Sequence, residues 1–251
     1  MRFSLIHPSR GRIERAGQAI AEWRSNASGR HDLEYLLSVD DDDPDREAYV
    51  ALARDAGVRL IVHRNRSIVD AVNNAARLAG GDILIVVSDD FGCPPQWDVA
   101  IAAAIGERTN IAVLVDDGVN GRIMTLPIVD RAYYESCRYI YHPDYVSMYT
   151  DEDLTEHARY TGRLIDARHL RFPHRHFSAG AVPMDATYAR QERPLAWMHG
   201  RRVLAKRRMT NFGTAPWSPS LALRLLAIDL KASFTILGSR VKRRLLGMPP
   251  P

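Results

Sequence analysis

Apolar positions along the first half of the chain follow two alternating periods. Short runs rich in β-branched and large apolar residues, Phe3–His7, Leu33–Val39, Val58–Val62, Ile83–Val87 and Ile111–Val115, predict strands. Between them, helical spacing over Gly11–Ser25, about Asp45–Ala56 and Ser67–Ala79 predicts helices, with Ser67 as an N-cap. Pro94 and Pro95 are expected to open a further helix carrying Val99, Ile101 and Ile105. Repeated β-α units of this length predict an α/β fold, a parallel sheet with helices on both faces. Ile83–Val87 is the most uniformly apolar of the runs and reads as a buried central strand. It stops at Ser88, Asp89 and Asp90.

Polar residues gather where the strands end. The first strand is followed by Pro8-Ser9-Arg10-Gly11-Arg12, the second by Asp40-Asp41-Asp42-Asp43, the third by Arg64-Asn65-Arg66 and the fourth by Ser88-Asp89-Asp90. In open α/β sheets ligands bind beyond the carboxyl ends of the strands. Acids massed there are costly unless a cation offsets them, and arginines beside them suit phosphates. Acids, arginines and an asparagine on one edge therefore suit a nucleotide plus a metal. No Gly-x-Gly-x-x-Gly follows the first strand and no Gly-x-x-x-x-Gly-Lys-Ser/Thr occurs, which argues against dinucleotide enzymes and P-loop NTPases. The Asp40–Asp45 run lacks the glycine that an EF-hand loop needs at its sixth position. Two cysteines, Cys93 and Cys137, are too few for a disulfide framework or a zinc site.

Two later segments carry chemistry as well. Tyr149-Thr150-Asp151-Glu152-Asp153-Leu154 places three acids where a helix is expected to begin, with Thr150 or Asp151 as its cap. Phe172-Pro173-His174-Arg175-His176-Phe177 places two histidines on one face of an extended segment.

In order and spacing, "SVDDDDPD", "RNRSIVDAVNNAARLAGGDILIVVSDD" and "DEDLTEHAR" resemble family 2-type glycosyltransferases of the GT-A fold, small bacteriophage and bacterial members included. The resemblance covers roughly residues 1–180. It implies a Rossmann-like, mostly parallel sheet in a catalytic domain at 1–185, followed by a basic helical extension at 186–251. The family's Asp-x-Asp begins at Ser88 here, so direct metal ligation falls to Asp90, with Asp89 beside it. By the same resemblance Pro8, Ser9, Arg10, Asp40, Asp41, Arg66, Asn73, Ser88 and Asp89 surround the nucleotide sugar, a UDP-sugar above all. Asp90 and a histidine, His176 ahead of His174 with His169 a lesser alternative, hold Mn²⁺ or Mg²⁺. Asp153, with Glu152 next, acts as general base of an inverting transfer.

Charge adds a question about the acceptor. Residues 190–251 carry 13 Lys/Arg against Glu192 and Asp229, a net +11, while the rest carries 21 basic and 28 acidic residues, a net −7. A basic tail on an acidic body points to a polyanionic partner. Arg201, Arg202, Lys206, Arg207 and Arg208 are expected to form one broad basic helix face over Ala196–Met209, and a later helix is expected at about 220–246. Two acceptors fit: 5-hydroxymethylpyrimidine in double-stranded DNA, held by that face, and a cell-envelope glycan or lipid-linked sugar with peripheral membrane contact. A sugar-phosphate nucleotidyltransferase and a non-catalytic nucleic-acid-binding protein are the alternatives of other classes. The N-terminal apolar run is too short for a signal peptide, and no uncharged run approaches a membrane span, so a cytoplasmic location is expected.

Overall fold

The computed structural model describes residues 1–175, 185, 187, 189, 193–215 and 223. Its elements run β1 (Arg2–Pro8), α1 (Ile13–Ser25), β2 (Asp32–Asp40), α2 (Arg46–Ala56), β3 (Arg59–His63), α3 (Ile68–Ala76) and β4 (Ile83–Val86). Then come α4 (Trp97–Ile105), β5 (Ala112–Asp116), β6 (Ile128–Asp130), α5 (Arg131–Cys137), α6 (Thr150–Tyr160), β7 (Leu164–Arg171) and α7 (Pro194–Met209). One sheet holds the seven strands in the order β3-β2-β1-β4-β6-β5-β7. β6 runs antiparallel to both of its neighbours, and every other pairing is parallel.

Strand periodicity divides the core in two. Ile83, Ile85 and Val87 face one layer with Trp23 of α1, Tyr49 of α2 and Trp97 of α4. Leu84 and Val86 face the other, with Val72 of α3, Tyr133 of α5, Leu154 of α6 and Val203 and Leu204 of α7. β4 is buried along its whole length, as its apolar run requires. Its entry depends on Gly81, because a Cβ there would sit 2.6 Å from Ser4 Oγ and 2.7 Å from Ser4 N. The Gly81 amide uses that space to donate to Ser4 Oγ at 2.8 Å.

The expected strands and first three helices lie within two or three residues of the observed ones. Ser67 caps α3, accepting from the Asp70 amide at 3.2 Å. Pro94 and Pro95 do not open α4. Gln96 takes a left-handed conformation (φ +57°), donates its amide to Asn26 O at 2.6 Å, and the helix starts at Trp97. Neither Thr150 nor Asp151 is the N-cap of α6. That position belongs to Tyr149, at φ +71°, with no side-chain cap. α7 begins at Pro194, whose missing N–H costs nothing in a first turn. The helix expected at about 220–246 lies outside the described residues. Among the described residues no helix is long and apolar enough to cross a membrane.

Candidate active site

The carboxyl ends of β1, β2, β4, β5 and β7 deliver polar side chains to one edge of the sheet. After β1, His7 is fully buried. Its Nδ1 meets the Tyr35 hydroxyl at 2.7 Å and its Nε2 meets Asp89 Oδ1 at 3.0 Å. Ser9 donates to the same carboxylate oxygen at 2.7 Å and pairs with the Tyr49 hydroxyl at 2.8 Å. Arg12 adds positive charge 3.8 Å from Asp89 Oδ2 and is itself held by Asp185 through two bonds of 2.8 Å. Burial pushes the Tyr49 phenol up to about 12, so it stays a neutral partner here. Asp89 is thus anchored from β1. Pro8 is buried.

Asp40 accepts from Arg10 at 2.7 Å and from Asn65 Nδ2 at 2.9 Å, and Asn65 in turn accepts from Asn74 at 2.7 Å. Arg10 also pairs with Asp42. Asp41 is exposed. Asp43 instead ties the loop together, accepting from the amides of Gly11 at 3.0 Å and Asp45 at 2.8 Å. The ends of β1, β2 and β3 therefore share one polar cluster around Asp40. Arg66 stands outside it, exposed and paired with Asp70 at 2.8 Å. Asn73 is turned inward. Its amide donates to Tyr141 O at 2.6 Å and accepts from the Ile140 and Tyr141 amides at 3.0 and 3.2 Å, so it holds the 140–141 loop rather than facing the edge.

The second cluster forms around Asp90, which accepts from Ser88 Oγ. Chain segments 90–92 and 172–175 lie side by side. Arg175 N donates to Asp90 O at 2.8 Å and Gly92 N to Pro173 O at 2.9 Å, and the rings of Phe91 and His174 stack with centroids 4.1 Å apart. His174 Nε2 thereby lies 3.4 Å from Asp90 Oδ2, and its Nδ1 lies 3.7 Å from Asp117 Oδ2. Asp117, after β5, accepts from Thr125 Oγ1 at 2.6 Å and from the Val119 and Asn120 amides at 2.7 and 2.5 Å. Burial opposes its ionisation, but these bonds and His174 hold its carboxyl well below the usual range. For His174, burial opposes the charge as well, yet Asp117 and Asp90 outweigh it and raise the imidazole to about 9. His176 lies outside the described residues. His169 lies farther back on β7.

A third carboxylate belongs with this cluster, and it was not among those favoured from the sequence. Asp151, in the first turn of α6, hydrogen-bonds Tyr141 and senses the charges of His174 and Asp117. Burial raises its carboxyl to about 6, with Tyr141, His174 and Thr150 working in the opposite direction. Asp153, two residues on, faces the protein interior. It is 3% exposed, 2.5 Å from Arg207 Nε and 3.2 Å from the Tyr145 hydroxyl. Glu152 accepts from Arg208 at 2.7 Å. Two residues on a helix are separated by about 200° of rotation, so Asp151 and Asp153 must point to opposite sides.

Asp90 and His174, once the imidazole has shed the proton that Asp117 and Asp90 stabilise, offer a carboxylate oxygen and an imidazole nitrogen at a separation close to the roughly 3 Å between neighbouring ligands of a small divalent ion. No group of three or more His, Cys, Asp or Glu side chains able to hold a metal occurs among the described residues. The donor set thus fits an ion that takes two ligands from protein and the rest from substrate phosphates, a usual arrangement for Mg²⁺-like ions.

The tail residues do not form one open basic face. Arg207 is 5% exposed and bound to Asp153, so burial removes it from any surface. Arg208 bridges Glu152 and Glu156 at 2.7 Å each, and Lys206 pairs with Asp144 at 3.2 Å. Arg201 and Arg202 are exposed.

Sheet order, strand-end carboxylates and an acidic helix start define a Rossmann-like α/β fold with an acidic site at the sheet edge, and sequence comparison gives the family. The profile of Glycosyl transferase family 2 matches residues 4–179, and the chain belongs to that family of glycosyltransferases. Three similar solved structures are S. aureus TarS, a Pyrobaculum calidifontis mannosyltransferase and a Mycobacterium tuberculosis synthase. TarS shares 16% identity over 93% of this chain and 44% of its own, with TM-score 0.59. Mannosyltransferase PcManGT, in complex with GDP-Man and Mn²⁺, shares 16% over 99% of this chain and 76% of its own, with TM-score 0.59. Glucosyl-3-phosphoglycerate synthase, in complex with Mn²⁺, UDP and glucosyl-3-phosphoglycerate, shares 11% over 86% and 81%, with TM-score 0.55. The chain spans less than half the length of TarS. Identities this low show the fold, and the fold is GT-A. No curated protein matches the sequence.

Proposed function

We propose that the protein transfers a sugar, with inversion, from a nucleoside diphosphate sugar to an acceptor hydroxyl, with Asp151 as the general base. The observation that carries this reading is the rotation of α6: Asp153 is buried against Arg207 at 2.5 Å, which turns Asp151, about 200° around the helix, to the other side. A carboxyl raised to about 6 is poised to accept a proton near neutral pH. Asp153, ion-paired inside the protein, is poorly placed for that role. Asp151 would take the acceptor proton as the hydroxyl oxygen attacks the anomeric carbon and the nucleoside diphosphate departs. A single base suffices, because no covalent intermediate is needed.

Asp90 and His174 would hold Mn²⁺ or Mg²⁺, which when bound supplies Lewis-acid stabilisation of the diphosphate charge. The Asp40–Arg10–Asn65 cluster would take the base and ribose, and Asp89, fixed by His7 and Ser9, would line the sugar-phosphate path. The Mn²⁺ in the mannosyltransferase and synthase complexes supports a divalent cation, and the UDP in the latter supports a uridine donor. The catalytic unit would span 1–185, with α7 of the tail packing Val203 and Leu204 against it. Of the five residues proposed to contact a hydroxymethylated DNA acceptor, Arg207 is buried against Asp153, while Lys206 and Arg208 are exposed but already paired with carboxylates. The test is UDP release from UDP-glucose, UDP-GlcNAc and related donors with Mn²⁺, with and without DNA containing 5-hydroxymethylcytosine. Release that Asp151→Asn abolishes while UDP binding persists is the expected result. Release unchanged in that variant would refute the assignment.

A further inference from the structure

We infer that helix α7 is a built-in clamp that sets the rotation of α6 and so aims Asp151, with Gly200 and Arg207 as its positioning residues. The inference rests on the reading of Asp151 as the base.

Within α6, Thr155 Oγ1 donates to Asp151 O at 2.6 Å and Tyr145 reaches Asp153 at 3.2 Å, but no side chain caps the helix start. Tyr149 precedes it in a left-handed conformation at φ +71° and supplies no side-chain cap, and Thr150 Oγ1 is spent on Ser147 O at 3.0 Å. α7 adds constraints at three levels. At the turn, Gly200 presses its bare backbone face against the Met148–Tyr149 peptide. A Cβ on it would overlap the Met148 carbonyl oxygen and stand 2.9 Å from the Tyr149 ring. The Trp197 ring meets Tyr149 edge-on, with centroids 5.5 Å apart. Behind α6, Arg207 Nε reaches Asp153 at 2.5 Å, while the guanidinium lies 5.4 Å from the Phe212 ring centroid. On the outer side, Arg208 spans Glu152 and Glu156. The loop before α6 is held too, since His199 Nε2 lies 2.7 Å from Asp144 O.

Asp153 and Asp151 lie about 200° apart around the helix, so fixing one at the back fixes the other at the front. A buried ion pair is a poor device for stability alone, because well-packed apolar side chains would serve equally well. Its directional bond does restrict how α6 can roll. A displacement of about 1 Å at the carboxylate is enough to cost about 100-fold in rate. Within α7, Arg207 serves an internal partner, and Lys206 and Arg208 pair with carboxylates at the surface.

Gly200→Ala, Arg207→Met, Arg207→Lys and Arg208→Gln in the full chain test the clamp, with Asp151→Asn alongside. Each is followed by thermal melting, UDP–Mn²⁺ affinity, and kcat and KM for UDP-sugar turnover. The clamp predicts folded Gly200→Ala with UDP–Mn²⁺ affinity and donor KM within about twofold and kcat lowered about 10- to 100-fold. Arg207→Met should behave alike, and Arg207→Lys should restore part of kcat. Arg208→Gln, which breaks only outer bridges, should lower kcat least. Should Arg207→Met fail to fold, Gly200→Ala and Arg208→Gln still decide the matter. Wild-type kcat in folded Gly200→Ala, or a parallel loss of kcat and nucleotide binding, would overturn the clamp. Turnover surviving Asp151→Asn would instead overturn the base assignment beneath it.

Discussion

Two acidic regions of this molecule have opposite fates. Along the α6–α7 seam, Asp153, Glu152, Glu156 and Asp144 each meet a cation from one helix, Arg207, Arg208 or Lys206. At the sheet edge, Asp90 and Asp117 flank the imidazole of His174, and its charge reaches Asp151. The seam is paired carboxylate by carboxylate, and its role is to join elements. The edge concentrates negative charge where substrate phosphates and a cation can enter. Acids of the same sequence motif, Asp151 and Asp153, divide between the two regions. What a carboxylate does is therefore set by the partner its helix face meets, and the motif alone does not decide it.

Replacing Asp151 should have the largest effect on turnover. Asp151→Asn is expected to lower kcat about 10²- to 10⁴-fold, with nucleotide affinity unchanged, in steady-state assays of UDP release. Asp90→Asn should act on binding instead. Mn²⁺-dependent UDP affinity, measured by titration calorimetry, should fall by more than the roughly 10- to 100-fold typical of losing a supporting residue around a metal. The seam should respond through stability. Arg207→Met leaves Asp153 buried without its cation and should cost about 3–5 kcal/mol in urea unfolding, most of it recovered by adding Asp153→Leu. Arg208→Gln, at a half-exposed bridge, should change stability by less than about 1 kcal/mol.

Acidity gives a finer distinction. Asp151 must be ionised to accept a proton, and its pKa is raised, so kcat should fall as pH drops through about 6 and be full above it. That limb should vanish from the residual activity of Asp151→Asn. A wild-type profile flat from pH 5 to 8 would separate Asp151 from the proton transfer.

Much of the sheet was legible because its strands are buried on both faces and so read as apolar runs. β1, β2 and β4 are of this kind. β7 was not foreseen. It lies at the sheet edge, and Arg168, His169 and Arg171 keep its surface polar, hiding its strand character. β6 has only three residues and runs against its neighbours, leaving little periodicity to read. Strand ends announced Asp89, Asp90 and the Asp40 cluster through plain sequence adjacency. Asp117 stayed hidden among loop residues, since only the fold brings it within 3.7 Å of His174. The choice among Asp151, Glu152 and Asp153 depended on the rotation of α6, and the one available cue was helical geometry together with the basic residues of α7. Asn73 illustrates the same gap. Its motif position suggested the nucleotide, while its amide holds the 140–141 backbone.

The most direct test compares Asp151→Asn with Asp153→Asn in one set of assays, measuring melting temperature, UDP–Mn²⁺ affinity and UDP release from a UDP-sugar. The account predicts that Asp151→Asn melts and binds like the parent protein but loses release, whereas Asp153→Asn is destabilised through the orphaned Arg207. Release lost in a normally stable Asp153→Asn, with Asp151→Asn fully active, would contradict it.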